Sequence, residues 1–103
     1  MYKKLVRDRI PEIIKANGEK PITRVLDNKE YKEELEKKLY EEYLEVLDAE
    51  GENRIEELAD MLEVMEALAD VENKTLEDVL SVKAKKQEKR GAFKDKIYLE
   101  GVE

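Results

Sequence analysis

The sequence predicts an all-α protein, a helical bundle of antiparallel helices with a short extended arm at each end. Three observations predict it. Charged residues make up 46% of the 103 residues against 41% hydrophobic, with only two prolines, a balance that suits amphipathic helices. Apolar residues recur at helical spacing in two long runs. Helix start signals, an Asp, Asn or Thr with an acid three residues on, stand before each of the three main segments. The length suffices for one domain, residues 1–103, with one modest core.

Val6 to Ala16 reads as a short helix, with Asp8 as its cap, Pro11 early and Asn17-Gly18 as its end. Pro21-Ile22-Thr23-Arg24-Val25-Leu26 alternates and is β-branched, so a short strand or extended arm is expected. Asp27 and Glu30 have capping-box spacing, and Tyr31, Leu35, Leu39, Tyr43, Val46 and Leu47 carry a long helix to about Glu50, stopped near Gly51. Asn53 with Glu56 predicts a second capping box. The helix behind it has a wide apolar stripe, Ile55, Leu58, Ala59, Met61, Leu62, Met65, Leu68 and Ala69, through Val71, and is expected to be the most buried. Thr75 with Asp78 starts a further helix, which turns basic before Gly91 stops it; Phe93 to Leu99 reads as an extended tail. Three main helices bury little surface alone, so a homodimer or homotetramer is expected to complete the core.

The chain has no cysteine and no histidine, which excludes disulfides, thiolate nucleophiles, imidazole acid–base chemistry and histidine- or sulfur-bound metal. No apolar run is long enough for a membrane span and the start lacks a signal-peptide core, so a cytoplasmic protein with no membrane partner is expected. The net charge of −7 is segregated: residues 30–80 hold 19 acids and 5 bases, whereas both ends are net positive. A strongly acidic middle argues against a nucleic acid polymer as partner, which calls for one continuous basic face.

Two acidic clusters lie in the acidic middle, Glu41-Glu42-Tyr43-Leu44-Glu45 and Glu57-Leu58-Ala59-Asp60. A short link around Gly51 makes their helices antiparallel neighbours. Glu45 and Glu57 are then about equally far from the turn, with Glu42 and Asp60 one helical step deeper, and all four carboxylates can face one groove. Converging carboxylates without matching bases call for a cation, and oxygen-only ligands select Mg²⁺, Mn²⁺ or Ca²⁺. Mg²⁺ typically leaves positions open for water and phosphate oxygens, so a phosphate substrate follows, held by Lys83, Lys86 and Arg90 on one face of the last helix. There is no GxxxxGK[ST] loop, which excludes a P-loop enzyme. Arg7 and Arg9 either touch phosphate or clamp the N-terminal arm by ion pairs. Tyr40 and Tyr43 are read as core residues rather than a base-stacking pair.

The pattern E-E-x-x-E followed by E-x-x-D resembles the signature of the MazG-like, all-α nucleoside triphosphate pyrophosphohydrolases. The opening Lys4-Leu5-Val6-Arg7-Asp8-Arg9-Ile10-Pro11 and the ending Lys89-Arg90-Gly91-Ala92-Phe93 are similar to a compact branch of that superfamily related to phosphoribosyl-ATP pyrophosphohydrolase. The resemblance implies that Glu42, Glu45, Glu57 and Asp60 hold Mg²⁺ and that Glu41 either stands behind the ligands in the outer shell or orients water, with Glu41, Glu42 and Glu45 forming the catalytic glutamates. It also implies hydrolysis of a nucleoside triphosphate, often a non-standard one, between the α and β phosphates. The 11-residue spacer between Glu45 and Glu57 is short for the family and implies a tight turn. Two other readings stand beside this one: phosphoribosyl-ATP pyrophosphohydrolase in histidine biosynthesis, and a non-catalytic helical interaction module. The module calls for sustained a/d heptads, which Glu42 and Glu45 interrupt.

Overall fold

A computed structural model describes residues 3–103 and contains four helices and no strand among them: α1 (Ile10–Ala16), α2 (Asn28–Asp48), α3 (Glu52–Val71) and α4 (Leu76–Arg90). The fold is all-α, as the composition predicts, and its centre is the antiparallel hairpin of α2 on α3.

The start of α2 follows its sequence signal in part. The Asp27 side chain accepts the Glu30 backbone N–H at 2.8 Å, but the Glu30 carboxylate does not return to the cap. It is taken instead by Arg24, whose guanidinium donates to both of its oxygens at 2.8 and 3.2 Å. This bidentate pair draws the Glu30 carboxyl below its usual pKa and ties the arm before α2 to its first turn. The arm itself, Pro21–Leu26, forms no strand; Ile22 and Val25 point into solvent, since a lone β-branched segment has nothing to pair with.

The link between the long helices is Ala49-Glu50-Gly51, because α2 stops at Asp48 and α3 starts at Glu52. Gly51 is the N-cap of α3, at φ 60°, ψ −134°, a conformation that L side chains rarely adopt. The capping box expected at Asn53 and Glu56 does not form, because the glycine turn starts the helix two residues before Asn53 can cap it. Arg54 secures the turn by donating to the Ala49 carbonyl at 2.8 Å. At the far end of α3, Thr75 and Asp78 form the expected capping box of α4, with backbone N–H to side-chain bonds of 3.2 and 2.8 Å.

Only Leu35 and Val64, facing each other's helix in the seam, are buried apolar residues among those described. Val64 is absent from the stripe predicted for α3. That stripe is instead half in solvent: Ile55, Leu58, Leu62 and Met65 are all exposed, so α3 is not the buried helix expected. α4 touches α3 over a short stretch and α2 nowhere, and Leu76 in its first turn is its one residue that is not exposed. α1 is shorter than expected, because Arg9 rather than Asp8 caps it, and its Ile10, Pro11 and Ile14 are half-buried. The tail bends at Phe93 and continues extended and exposed.

Candidate metal centre

The helical phase of the hairpin brings acids into its seam. Counting from Leu35, the α2 positions facing α3 recur through Leu39, Glu42 and Val46; on α3 they run Glu57, Met61, Val64 and Leu68, with Asp60 beside them. Both helices therefore place a carboxylate where an apolar residue would ordinarily pack. Glu42, Glu57 and Asp60 each offer a carboxylate oxygen, and these oxygens lie within 4.8 Å of one another. Glu45, expected in the same set, stands at the edge: it approaches the Glu57 carboxylate but is not within that distance of the other two acids.

The electrostatics of the cluster are unfavourable as it stands. Glu57 Oε2 is buried with no hydrogen-bond partner. Burial raises the Glu57 pKa, followed by the close approach of Glu45 and by the charges of Glu45, Asp60 and Glu42. Two ionised carboxylates have no proton to share, so the Glu45–Glu57 approach is favourable only with a proton or cation between them. Burial also raises the Glu42 pKa, with Asp60 next, and Lys38 lowers it only in part. The donors are all oxygens, anionic and partly desolvated, and such a set could hold a hard divalent cation.

One base answers this charge from far along the chain. Arg7 donates through Nη2 to Asp60 Oδ1 at 2.6 Å, and its Nη1 lies 3.7 Å from Glu63 Oε1. Of the two roles considered for Arg7, the structure places it as a clamp on the N-terminal arm. Glu63 escaped the sequence reading; its signal was its place three residues after Asp60, on the same helix face. Glu41 is exposed and lies 3.5 Å from Lys38. Lys83, Lys86 and Arg90 are exposed on α4, and none forms an ion pair with a described carboxylate. Tyr40 and Tyr43 are not core: their rings, 6.0 Å apart, are 62% and 44% exposed residues on the outer side of α2.

No family model matches the chain, and no solved structure does. A protein of Mycolicibacterium smegmatis, described only as an uncharacterized protein, is 52% identical over 42 residues, which cover 41% of this chain and 43% of that protein. The match spans less than half of either chain and carries no activity with it. No helix among the described residues is long and apolar enough to cross a membrane.

Proposed function

We propose that this chain is a metal-dependent nucleoside triphosphate pyrophosphohydrolase of the MazG-like all-α superfamily, acting in the cytoplasm on non-canonical nucleotides. The observation that carries the reading is a buried, partnerless oxygen on Glu57, a residue whose carboxylate clusters with those of Glu42 and Asp60. An interaction module has no use for that arrangement, which weakens the hairpin seam unless a cation offsets it.

Glu42, Glu57 and Asp60 would hold the ion, with Glu45 completing the set through Glu57. Bound there, Mg²⁺, or Mn²⁺ in its place, would engage phosphoryl oxygens, offset their charge and make an attacking water more acidic. Glu41 and Glu45, both exposed, would orient that water and accept its proton. The water oxygen bonds to the α phosphorus, the α–β anhydride bond breaks, and pyrophosphate leaves the nucleoside monophosphate. Lys83, Lys86 and Arg90 are the bases assigned to the remaining phosphates; on a helix that does not touch α2, they would serve the site of another copy more readily than their own. Self-association into a homodimer or homotetramer belongs to the same reading.

The test is pyrophosphate release with Mg²⁺ across ordinary and damaged nucleoside triphosphates and phosphoribosyl-ATP, with Glu42→Gln as the blank. Release from a triphosphate that Glu42→Gln abolishes supports the proposal. Turnover of phosphoribosyl-ATP alone would assign the chain to histidine biosynthesis instead, and no turnover of any substrate would leave the interaction module.

A further inference from the structure

The carboxylate cluster meets bases at one end and further acids at the other. Lys38 lies one turn before Glu42 on α2, farther from the hairpin link, with its side chain 23% exposed and its Nζ 3.5 Å from Glu41 Oε2. Burial and then Asp60 push the Glu42 carboxyl up, and Lys38 draws it part of the way back. On α3 a similar depth is reached by Glu63, and Arg7 lies across Asp60 and Glu63, 2.6 Å from Asp60 Oδ1 and 3.7 Å from Glu63 Oε1.

The two bases share a side as well as an end. With about 100° of rotation per residue, Lys38 stands about 70° from the α2 seam line and Asp60 about 70° from that of α3, in the same rotational sense. Because the helices run antiparallel, equal rotations of the same sense bring both to one side of the hairpin. Lys38 on α2 and Arg7 over α3 therefore border one open side of the cluster. Toward the link the charge is reversed. An open cleft of about 780 Å³ lies there, lined by the carboxylates of Glu45, Asp48, Glu50 and Glu57 and by no base. Arg54, the one base between Glu45 and Glu57 in sequence, is engaged by the Ala49 carbonyl at 2.8 Å.

We infer, resting on the function proposed above, that Arg7 and Lys38 hold the two phosphates that leave as pyrophosphate. Those phosphates carry most of the charge of a nucleoside triphosphate, so the acidic cleft repels them and the two bases attract them. The guanidinium of Arg7 has five N–H donors in a planar fork that matches phosphate oxygens, and its hydrogen bond to Asp60 uses one of them. Lys38 adds a point charge with three donors, and its largely covered stem holds that charge at the rim of the cluster. Both bases reach the cluster within one chain, which Lys83, Lys86 and Arg90 on α4 do not need to do for this binding to form. The substrate then has a fixed direction in the groove, with its pyrophosphate half away from the link.

The probe is inorganic pyrophosphate, titrated calorimetrically into the full chain with Mg²⁺ in excess. Arg7→Gln and Lys38→Met keep most of each stem and remove the charge, and each is expected to weaken pyrophosphate binding about tenfold. Lys37→Met, on the outer side of α2, removes the same charge and is expected to change binding by less than about twofold. Mn²⁺ alone is expected to bind the Arg7 and Lys38 variants at least as tightly as the unaltered chain, because each loses a positive neighbour of the ion. A purely structural role would weaken Mn²⁺ and pyrophosphate together, and that result overturns the inference. Should Lys38→Met disturb the helix, Arg7→Gln, at an exposed pair, still decides. Equal pyrophosphate affinity in Arg7→Gln and Lys37→Met also overturns the inference, and the proposed function stands without it if the unaltered chain releases pyrophosphate from a triphosphate. An unaltered chain that neither releases nor binds pyrophosphate removes both.

Discussion

The guanidinium of Arg7 and the carboxylate of Asp60 are 53 residues apart in sequence and 2.6 Å apart in space. This bond joins the arm before α1 to the middle of α3, and it places a positive charge on one of the three acids that converge in the hairpin seam. Arg7 and a cation therefore compete for Asp60. With side chains 56% and 44% exposed, the pair stabilises the fold by no more than about 1 kcal/mol. Arg7→Ala is expected to lower the unfolding free energy by less than about 1 kcal/mol in urea. It should also make residues 3–16 more sensitive to limited proteolysis and tighten Mn²⁺ binding measured by calorimetry. Weaker Mn²⁺ binding in that variant would show that Arg7 supports the cluster rather than competing in it.

Glu57→Gln separates a metal site from an idle acidic patch. In EDTA the substitution removes a charge whose buried oxygen has no partner, so the melting temperature should rise. With saturating Mg²⁺ the unaltered chain should gain stability, by about 2.7 kcal/mol at a hundred times its Kd, and the variant should gain almost none. Equal gains in both chains would take Glu57 out of the ligand set.

The raised pKa values of Glu42 and Glu57 fix the sign of one pH effect. A carboxyl with a higher pKa in the folded chain than in the unfolded one binds more protons when folded. Its contribution to stability therefore falls as pH rises from the ordinary value of 4.5 through the raised folded value. Glu30 and Asp78 act in the opposite direction: their lowered pKa values contribute stability above the ordinary carboxylate range that is lost as pH falls through their folded values. In metal-free chain, Glu42→Gln is expected to reduce the loss of stability on going from pH 5 to pH 7, read as thermal midpoints, and Asp78→Asn to reduce the loss on going below pH 4. An unchanged slope in Glu42→Gln would mean that its carboxyl feels no net penalty.

Much of the fold was legible because its signals are local. Thr75 and Asp78 form the box that their spacing predicts, and Asp27 caps α2. The expectation failed where a distant or stronger partner intervened. Arg24 takes Glu30 from its cap, and Gly51 starts α3 ahead of Asn53. Val64 went unnoticed because the densest apolar stripe on α3, Leu58 through Met65, points away from α2; periodicity finds an apolar face but does not say what covers it. The acids of the site were legible as a set, since i and i+3 share a face. Glu45 falls outside the closest group because it sits about 60° from Glu42 around α2, toward solvent.

Gly51 offers a test of the turn alone. A Cβ there would meet no atom within 4 Å, so the only cost of Gly51→Ala is the backbone at φ 60°, about 1–3 kcal/mol. Chemical denaturation should read that loss with no change in helix content at low denaturant. No loss would mean that the turn relaxes to another shape.

The N-terminal half of α4 depends on its cap because little else holds it. Thr75→Ala is expected to cost about 0.5–2 kcal/mol of local stability, seen as faster hydrogen exchange across Leu76–Leu80 with α2 unaffected. Exchange unchanged in α4 would show that tertiary contacts already hold the helix.

A three-residue link between helices of 21 and 20 residues has an outcome for how such a chain can vary. One residue added within α3 between Gly51 and Glu57 would swing every later side chain about 100° around its axis, carrying Glu57 and Asp60 out of the seam while leaving composition almost unchanged. Drift by substitution is open to this hairpin over most of its surface; drift by insertion is closed to it between the turn and the acids.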